Sequence, residues 1–154
     1  PFCKQHHNTL NELIKEYDSN ELAWVYRNFP LAQLHSKAPK QAEALECAAE
    51  LGGNDGFWKY TDRLYEVTPS NNGLDMAELP KIAEHAGLDV AAFNTCLDNG
   101  SMAERVEADL NEVIAAGGRG TPHNIIIANG EQYPLEGGQP LEVMKQIIDQ
   151  LLDQ

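Results

Sequence analysis

Residues 40–116 keep a helical pattern throughout, and this block, about half of the 154 residues, sets what the chain can fold into. The clusters LGGNDG, TPSNNG, AGLD and DNGS punctuate it as turns and divide it into about four helices. Neither flank continues the pattern. Residues 1–17 read as a separate helix, with Phe2, Leu10, Leu13, Ile14 and Tyr17 on one stripe and Pro1 at its start, and YDSN ends it. In ELAWVYRNFP, Leu22, Trp24 and Tyr26 alternate with Ala23, Val25 and Arg27, so residues 21–30 read as a strand closed by Pro30. After the block, GGRGTP breaks the helical pattern. HNIIIANGEQYPLEG reads as two short strands around an Asn129-Gly130 turn, and PLEVMKQIIDQLLDQ as a final amphipathic helix from Pro140. Helix, strand, helical block, hairpin and helix in that order predict an α/β fold with a small mixed sheet covered on both faces.

Composition narrows the functions open to such a fold. A hydrophobic content of 42% supports a real core. Lys+Arg 11 against Asp+Glu 24 gives a net charge of -13, a field that repels phosphate backbones and anionic lipid surfaces, so nucleic acid is not expected as a partner. No apolar run approaches the ~18 residues of a membrane span. The three cysteines are an odd number, so at least one thiol is free or has its partner outside this sequence.

The heptapeptide PFCKQHH carries the most reactive residue types of the chain. A thiol is a nucleophile only as thiolate, and the partial positive charge of a helix N-terminus favours that anion. Cys3 falls in the first turn, and a cysteine directly before Pro1 would complete the Cys-X-X-Cys spacing that makes and breaks disulfides. An ordinary buried thiol is the other reading of Cys3 from this stretch alone. Cys3, His6 and His7 stand at i, i+3 and i+4 on one helix face, but a closed zinc site needs four ligands and no further pair has ligand spacing, so no metal is expected.

The GTP tripeptide, Gly120-Thr121-Pro122, precedes an apolar strand. A cis bond at Pro122 would turn the chain abruptly and leave Thr121 to offer its N–H and C=O to an extended substrate; a plain turn after Gly117-Gly118 is the alternative. Cys47 and Cys96 sit among apolar neighbours in helical patterns, which makes buried thiols the default for both. His35 and His85 are expected to face solvent. Glu104, Glu107 and Asp109 read as solvated helix faces, and no carboxylate pair stands out as acid–base machinery.

PFCKQHHNTLNELIKEY, VYRNFPL, LHSKAPKQAEALECAAE, FWKYTDRLYE and FNTCLDNGSMAERVEADLNEVIAAGGRGTPHNIIIANG, in this order, resemble the DsbA-like thiol:disulfide oxidoreductases along nearly the whole chain. The resemblance implies a thioredoxin fold, formed by residues 1–34 and 117–154, with residues 35–116 as an inserted helical domain. It makes Pro1, Phe2 and Cys3 the end of a Cys-Pro-Phe-Cys motif, with Cys3 as the resolving cysteine. The nucleophilic cysteine is then expected directly before Pro1, and before that an apolar central strand between residues 21–30 and the HNIII strand. Gly120, Thr121 and Pro122 become the substrate loop, with Pro122 cis. His7 matches the family's usual histidine, while His6 stands where an aromatic residue is more frequent and His123 where a small polar one is; His6 and His7 are the candidate modulators of the thiol chemistry. Cysteines at positions 47 and 96 occur in many members, and a second disulfide between them is an option in an extracytoplasmic compartment.

The resemblance therefore implies exchange of disulfides with protein thiols, no cofactor, a periplasmic or otherwise extracytoplasmic setting, and a redox partner protein for which a membrane protein is one option. The competing reading is a non-redox thioredoxin-like module. In enzymatic form that module resembles the kappa-class glutathione transferases and related isomerases, which use a serine at the active helix; in inert form it is a binding domain. The residue before Pro1 discriminates, cysteine for the first reading and serine or alanine for the second.

Overall fold

A computed structural model describes residues 1–154. The elements are α1 (Phe2–Leu13), α2 (Ala38–Val67), a 3-10 turn (Met76–Glu78), α3 (Leu79–His85), α4 (Val90–Asp98), α5 (Ala103–Ala115), β1 (His123–Ala128), β2 (Glu131–Glu136) and α6 (Leu141–Leu152). They fall into two compact units, one of Pro1–Tyr26 with Gly117–Gln154 and one of Arg27–Ala116.

In the first unit β1 and β2 form an antiparallel hairpin with Ile126 opposite Tyr133 and Asn124 opposite Leu135. Asn129 and Gly130 both take positive φ, 53° and 82°, which suits a two-residue hairpin turn and the Asn-Gly pair expected there. Leu13 of α1 packs with Met144 and Ile148 of α6, and Leu10, Tyr17, Leu22, Ile126 and Leu135 close around them. The period-2 pleat places Ile126 in this core and leaves Ile127, the next residue, 71% exposed. Helix α1 ends at Leu13 rather than Tyr17, because the chain tightens there: Lys15 N–H bonds Glu12 O and Glu16 N–H bonds Leu13 O, both i to i+3. Tyr17 still reaches α6, its hydroxyl donating to Asp149 Oδ1 at 2.8 Å.

The strand expected over residues 21–30 does not form. Its side chains alternate between exposed and half-buried from Glu21 to Arg27, as the sequence pattern requires. Yet the single ladder of the structure joins β1 to β2, and this segment takes no part in it. Alternation reports which way side chains face; a strand also needs a neighbouring backbone to receive its hydrogen bonds.

The second unit is helical. The cluster LGGNDG breaks the span of α2 as expected: two helical stretches meet across a kink at Gly53, which takes φ 60° and ψ -153°. Space decides the neighbouring glycines: a Cβ on Gly52 would lie 2.6 Å from Leu88 Cδ2, and one on Gly56 2.9 Å from the Ala48 carbonyl. Tyr60 of α2 and Phe93 of α4 stack at 5.3 Å in the centre, and the Tyr60 hydroxyl donates to Leu79 O. Burial without a countercharge pushes that hydroxyl up from the usual tyrosine range.

Asp109 of α5 corrects the solvated-face reading, since it is 2% exposed. It shares the inward face with Val106, one turn earlier, and its charge is answered locally. Asn28 donates to Oδ2 from its backbone N–H at 2.9 Å and from Nδ2 at 3.2 Å, while Arg27 and Arg105 lie 3.8 and 3.9 Å from Oδ1. Glu46 is the second carboxylate of this cluster, accepting from Asn28 Nδ2 at 2.6 Å. A carboxylate pair is therefore present that spacing along the chain did not reveal.

Candidate functional site

Pro1 stands at the N-cap of α1, with no side-chain cap hydrogen bond, and Cys3 falls in the first turn of the helix. Cys3 is the free thiol and is half-buried, and Phe2 beside it is 73% exposed. His6 and His7, one turn further on, are both buried. The His7 ring lies against Trp24 with centroids 5.3 Å apart. His6 points its Nε2 at Asn124 Oδ1, 2.7 Å away in β1.

The loop before β1 is linked to α1 through the residues beside it, Asn124 and Gly138. The Thr121-Pro122 peptide is cis. Pro122 O accepts from Gly137 N–H at 3.0 Å, and a Cβ on Gly138 would lie 3.5 Å from His6 and 3.6 Å from Pro122 Cγ. Thr121 is half-buried, and its backbone N–H and C=O take no hydrogen bond inside the protein. A small cleft of about 170 Å³ opens alongside, lined by Phe2, His6, Thr9, Gly138 and Pro140. That volume is below the ~300–1,000 Å³ of sites that enclose a drug-sized ligand or cofactor. The same unit thus holds a free thiol on the first turn of α1 and a loop with an open backbone donor and acceptor, linked through His6, Asn124 and Gly138.

Cys47 and Cys96 belong to the second unit and join α2 to α4 in a disulfide, with Cα atoms 6.0 Å apart. They are not part of the thiol site. His85 is exposed as expected, whereas His35 is half-buried. A shallow depression of about 510 Å³ on the second unit is lined by Lys59, Asp62, Arg63, Glu66 and His85; there Arg63 pairs with Glu66 at 2.6 Å and Lys59 with the neighbouring Asp55 at 2.7 Å. Sequence reasoning missed Asn124, Gly137 and Gly138. The one available signal was an amide side chain opening an otherwise apolar strand.

Comparison with known proteins agrees with this geometry. A family model described as Thioredoxin matches residues 1–150. The crystal structure of Pseudomonas aeruginosa DsbA2 is similar at 26% identity and a TM-score of 0.78, covering 98% of this chain and 82% of that one. Among curated proteins, Na(+)/H(+) antiporter NhaA 3 of Salinispora tropica is 32% identical over 133 residues, 86% of this chain and 19% of that protein. Na(+)/H(+) antiporter NhaA of Herminiimonas arsenicoxydans is 32% identical over 109 residues, 71% of this chain and 16% of that protein. The chain thus spans about a fifth of the length of the curated relatives it matches. No helix is long and apolar enough to cross a membrane.

Proposed function

The chain belongs to the thioredoxin family, with a DsbA-like fold, and from that premise we propose that it is a disulfide oxidoreductase unit acting on protein thiols. What supports the reading is that one unit holds both the free Cys3 thiol on the first turn of α1 and the cis Thr121-Pro122 loop with its open backbone groups. An extended substrate segment pairs with Thr121 as an added strand, which brings its sulfur to the helix end.

In its finer form the proposal makes Cys3 the resolving residue of a Cys-Pro-Phe-Cys motif. The Cys3 thiolate attacks the motif's other sulfur in a mixed disulfide. The S–S bond within the motif forms, the bond to substrate breaks, and the substrate sulfur leaves as a thiolate that takes up one proton. Run in reverse, a substrate thiolate opens the motif disulfide. The Cys47–Cys96 disulfide, buried at Cys47 and half-buried at Cys96, supports an oxidising, extracytoplasmic setting, where such bonds persist.

The test uses the full-length polypeptide and a disulfide-bonded test protein. Turnover is expected, and it is expected to vanish when Cys3 and the residue before Pro1 are both changed to alanine, while changing Cys47 and Cys96 leaves it in place. Turnover that survives the first double change overturns the reading. One alternative is a non-redox binding module of a longer protein, since the chain spans about a fifth of the length of the curated relatives it matches. A wild-type polypeptide without exchange activity, or with serine or alanine before Pro1, decides for it.

A further inference from the structure

His6 is a buried polar side chain with a demanding set of partners. A carboxamide oxygen 2.7 Å from Nε2 requires Nε2 to carry the proton and donate it. The orientation of the Asn124 amide follows from its other end, where Nδ2 donates to Gly137 O at 3.3 Å. Gly137 in turn donates its N–H to Pro122 O at 3.0 Å. These bonds form one continuous path from the first turns of α1, through β1 and the turn after β2, to the loop that carries Thr121.

An apolar side chain at position 6 would pack in this place without such partners, and burying an imidazole has its own cost: Nδ1 is sealed from solvent with no hydrogen-bond partner. Stability alone therefore does not account for the choice of histidine. What the path supplies is registration. It ties the segment one turn from Cys3 to the Thr121-Pro122 loop and to Gly138, which packs against both His6 and Pro122.

We infer that His6 is a positioning residue for disulfide exchange, acting through Asn124 to hold the Thr121-Pro122 loop in register with the thiol-bearing end of α1. The inference rests on the functional reading above and assigns it a residue outside the cysteine motif. Substrate binding depends on this register more than the bond-making step does, so the effect falls mainly on KM.

The experiment compares full-length wild type with His6→Phe, Asn124→Leu, His6→Gln and the pair His6→Phe/Asn124→Leu. Readouts are Tm, the kcat and KM of exchange with a cysteine peptide, and the equilibrium of the motif with glutathione. Each single apolar change breaks the His6–Asn124 bond from one side and leaves the other group unsatisfied, Asn124→Leu also releasing Gly137 O, and each is expected to lose about tenfold in kcat/KM, carried by KM. His6→Gln keeps a donor at the position of Nε2 and is expected to restore exchange to within about threefold of wild type. The double apolar variant is expected to recover Tm, because the one group left without its partner, Gly137 O, is exposed to water, but not KM. Recovery of KM together with Tm in the double variant overturns the inference and leaves a packing role only, as does unchanged KM in both single variants. If wild type shows no exchange at all, the functional reading fails and this inference with it. The glutathione equilibrium is expected to stay within about twofold across the set, since the path ends on the loop and not on the sulfurs; a tenfold change in it would place His6 on the thiol chemistry itself and overturn the positioning role.

Discussion

The carboxylate of Asp109 accepts the backbone N–H of Asn28 at 2.9 Å, across 81 residues of sequence, in a part of the second unit that excludes water. Asn28 stands at the head of that unit, so the bond anchors its entry segment to α5. Asp109→Ala leaves the Asn28 N–H buried without an acceptor and is expected to destabilise by about 3 kcal/mol, whereas Asp109→Asn keeps an acceptor and should cost about 1–2 kcal/mol. Urea unfolding followed by circular dichroism measures both, and equal losses would show that charge rather than the acceptor is what matters.

Glu46 in the same cluster has its carboxyl raised above the usual glutamate range, first by burial and next by the charge of Asp109, against the opposing pull of Arg105 and Asn28. A folded-state pKa above the unfolded one means stability that is complete below the ordinary glutamate pKa and declines as pH rises through the folded value. Glu46→Gln keeps an oxygen for Asn28 Nδ2 and removes the charge. It is expected to be more stable than wild type at neutral pH and to lose that advantage on acidification, which urea midpoints at a series of pH values will read.

Tyr17 titrates late. Burial, and then its hydrogen bond to Asp149, push its hydroxyl up to about 12. The stability tied to this group is present below the ordinary tyrosine range near 10 and is lost as pH rises through about 12. Absorbance titration of Asp149→Asn should show one tyrosine moving down towards the rest, and an unchanged curve would assign the late hydroxyl elsewhere.

The Cys47–Cys96 disulfide closes a sequence separation of 49 residues. The loop-entropy relation puts its removal at a loss of about 4 kcal/mol as an upper value, with about 2–4 kcal/mol expected in practice. Replacing both cysteines by alanine should lower Tm by about 2–4 °C per kcal/mol lost. A non-reducing digest of wild type should keep the peptides of Cys47 and Cys96 joined, with Cys3 outside that bridge.

Tyr60→Phe retains the stack on Phe93 and loses only the bond to Leu79 O, a loss of about 1 kcal/mol, while Tyr60→Ala opens a cavity and should cost about 3–5 kcal/mol. Similar costs for the two, by urea unfolding, would mean that the hydroxyl and not the ring holds this part of the core.

Local pattern was enough for much of this protein. The helices, the β1–β2 hairpin and its Asn129-Gly130 turn follow from periodicities of 3.6 and 2 and from residues that accept positive φ, all of which act over a few neighbours. The place of Cys3 in the first turn of α1 is of the same kind. The tertiary structure alone decided that residues 21–30 alternate without joining a ladder, that Cys47 bonds Cys96, that Asp109 is buried, and that His6 reaches Asn124 over 118 residues. Each of these depends on which distant backbone or side chain arrives at the same point. A period shows the face a residue turns inward, whereas the partner waiting there is set by how the units pack within themselves, and a buried polar group is stable only where that partner is present.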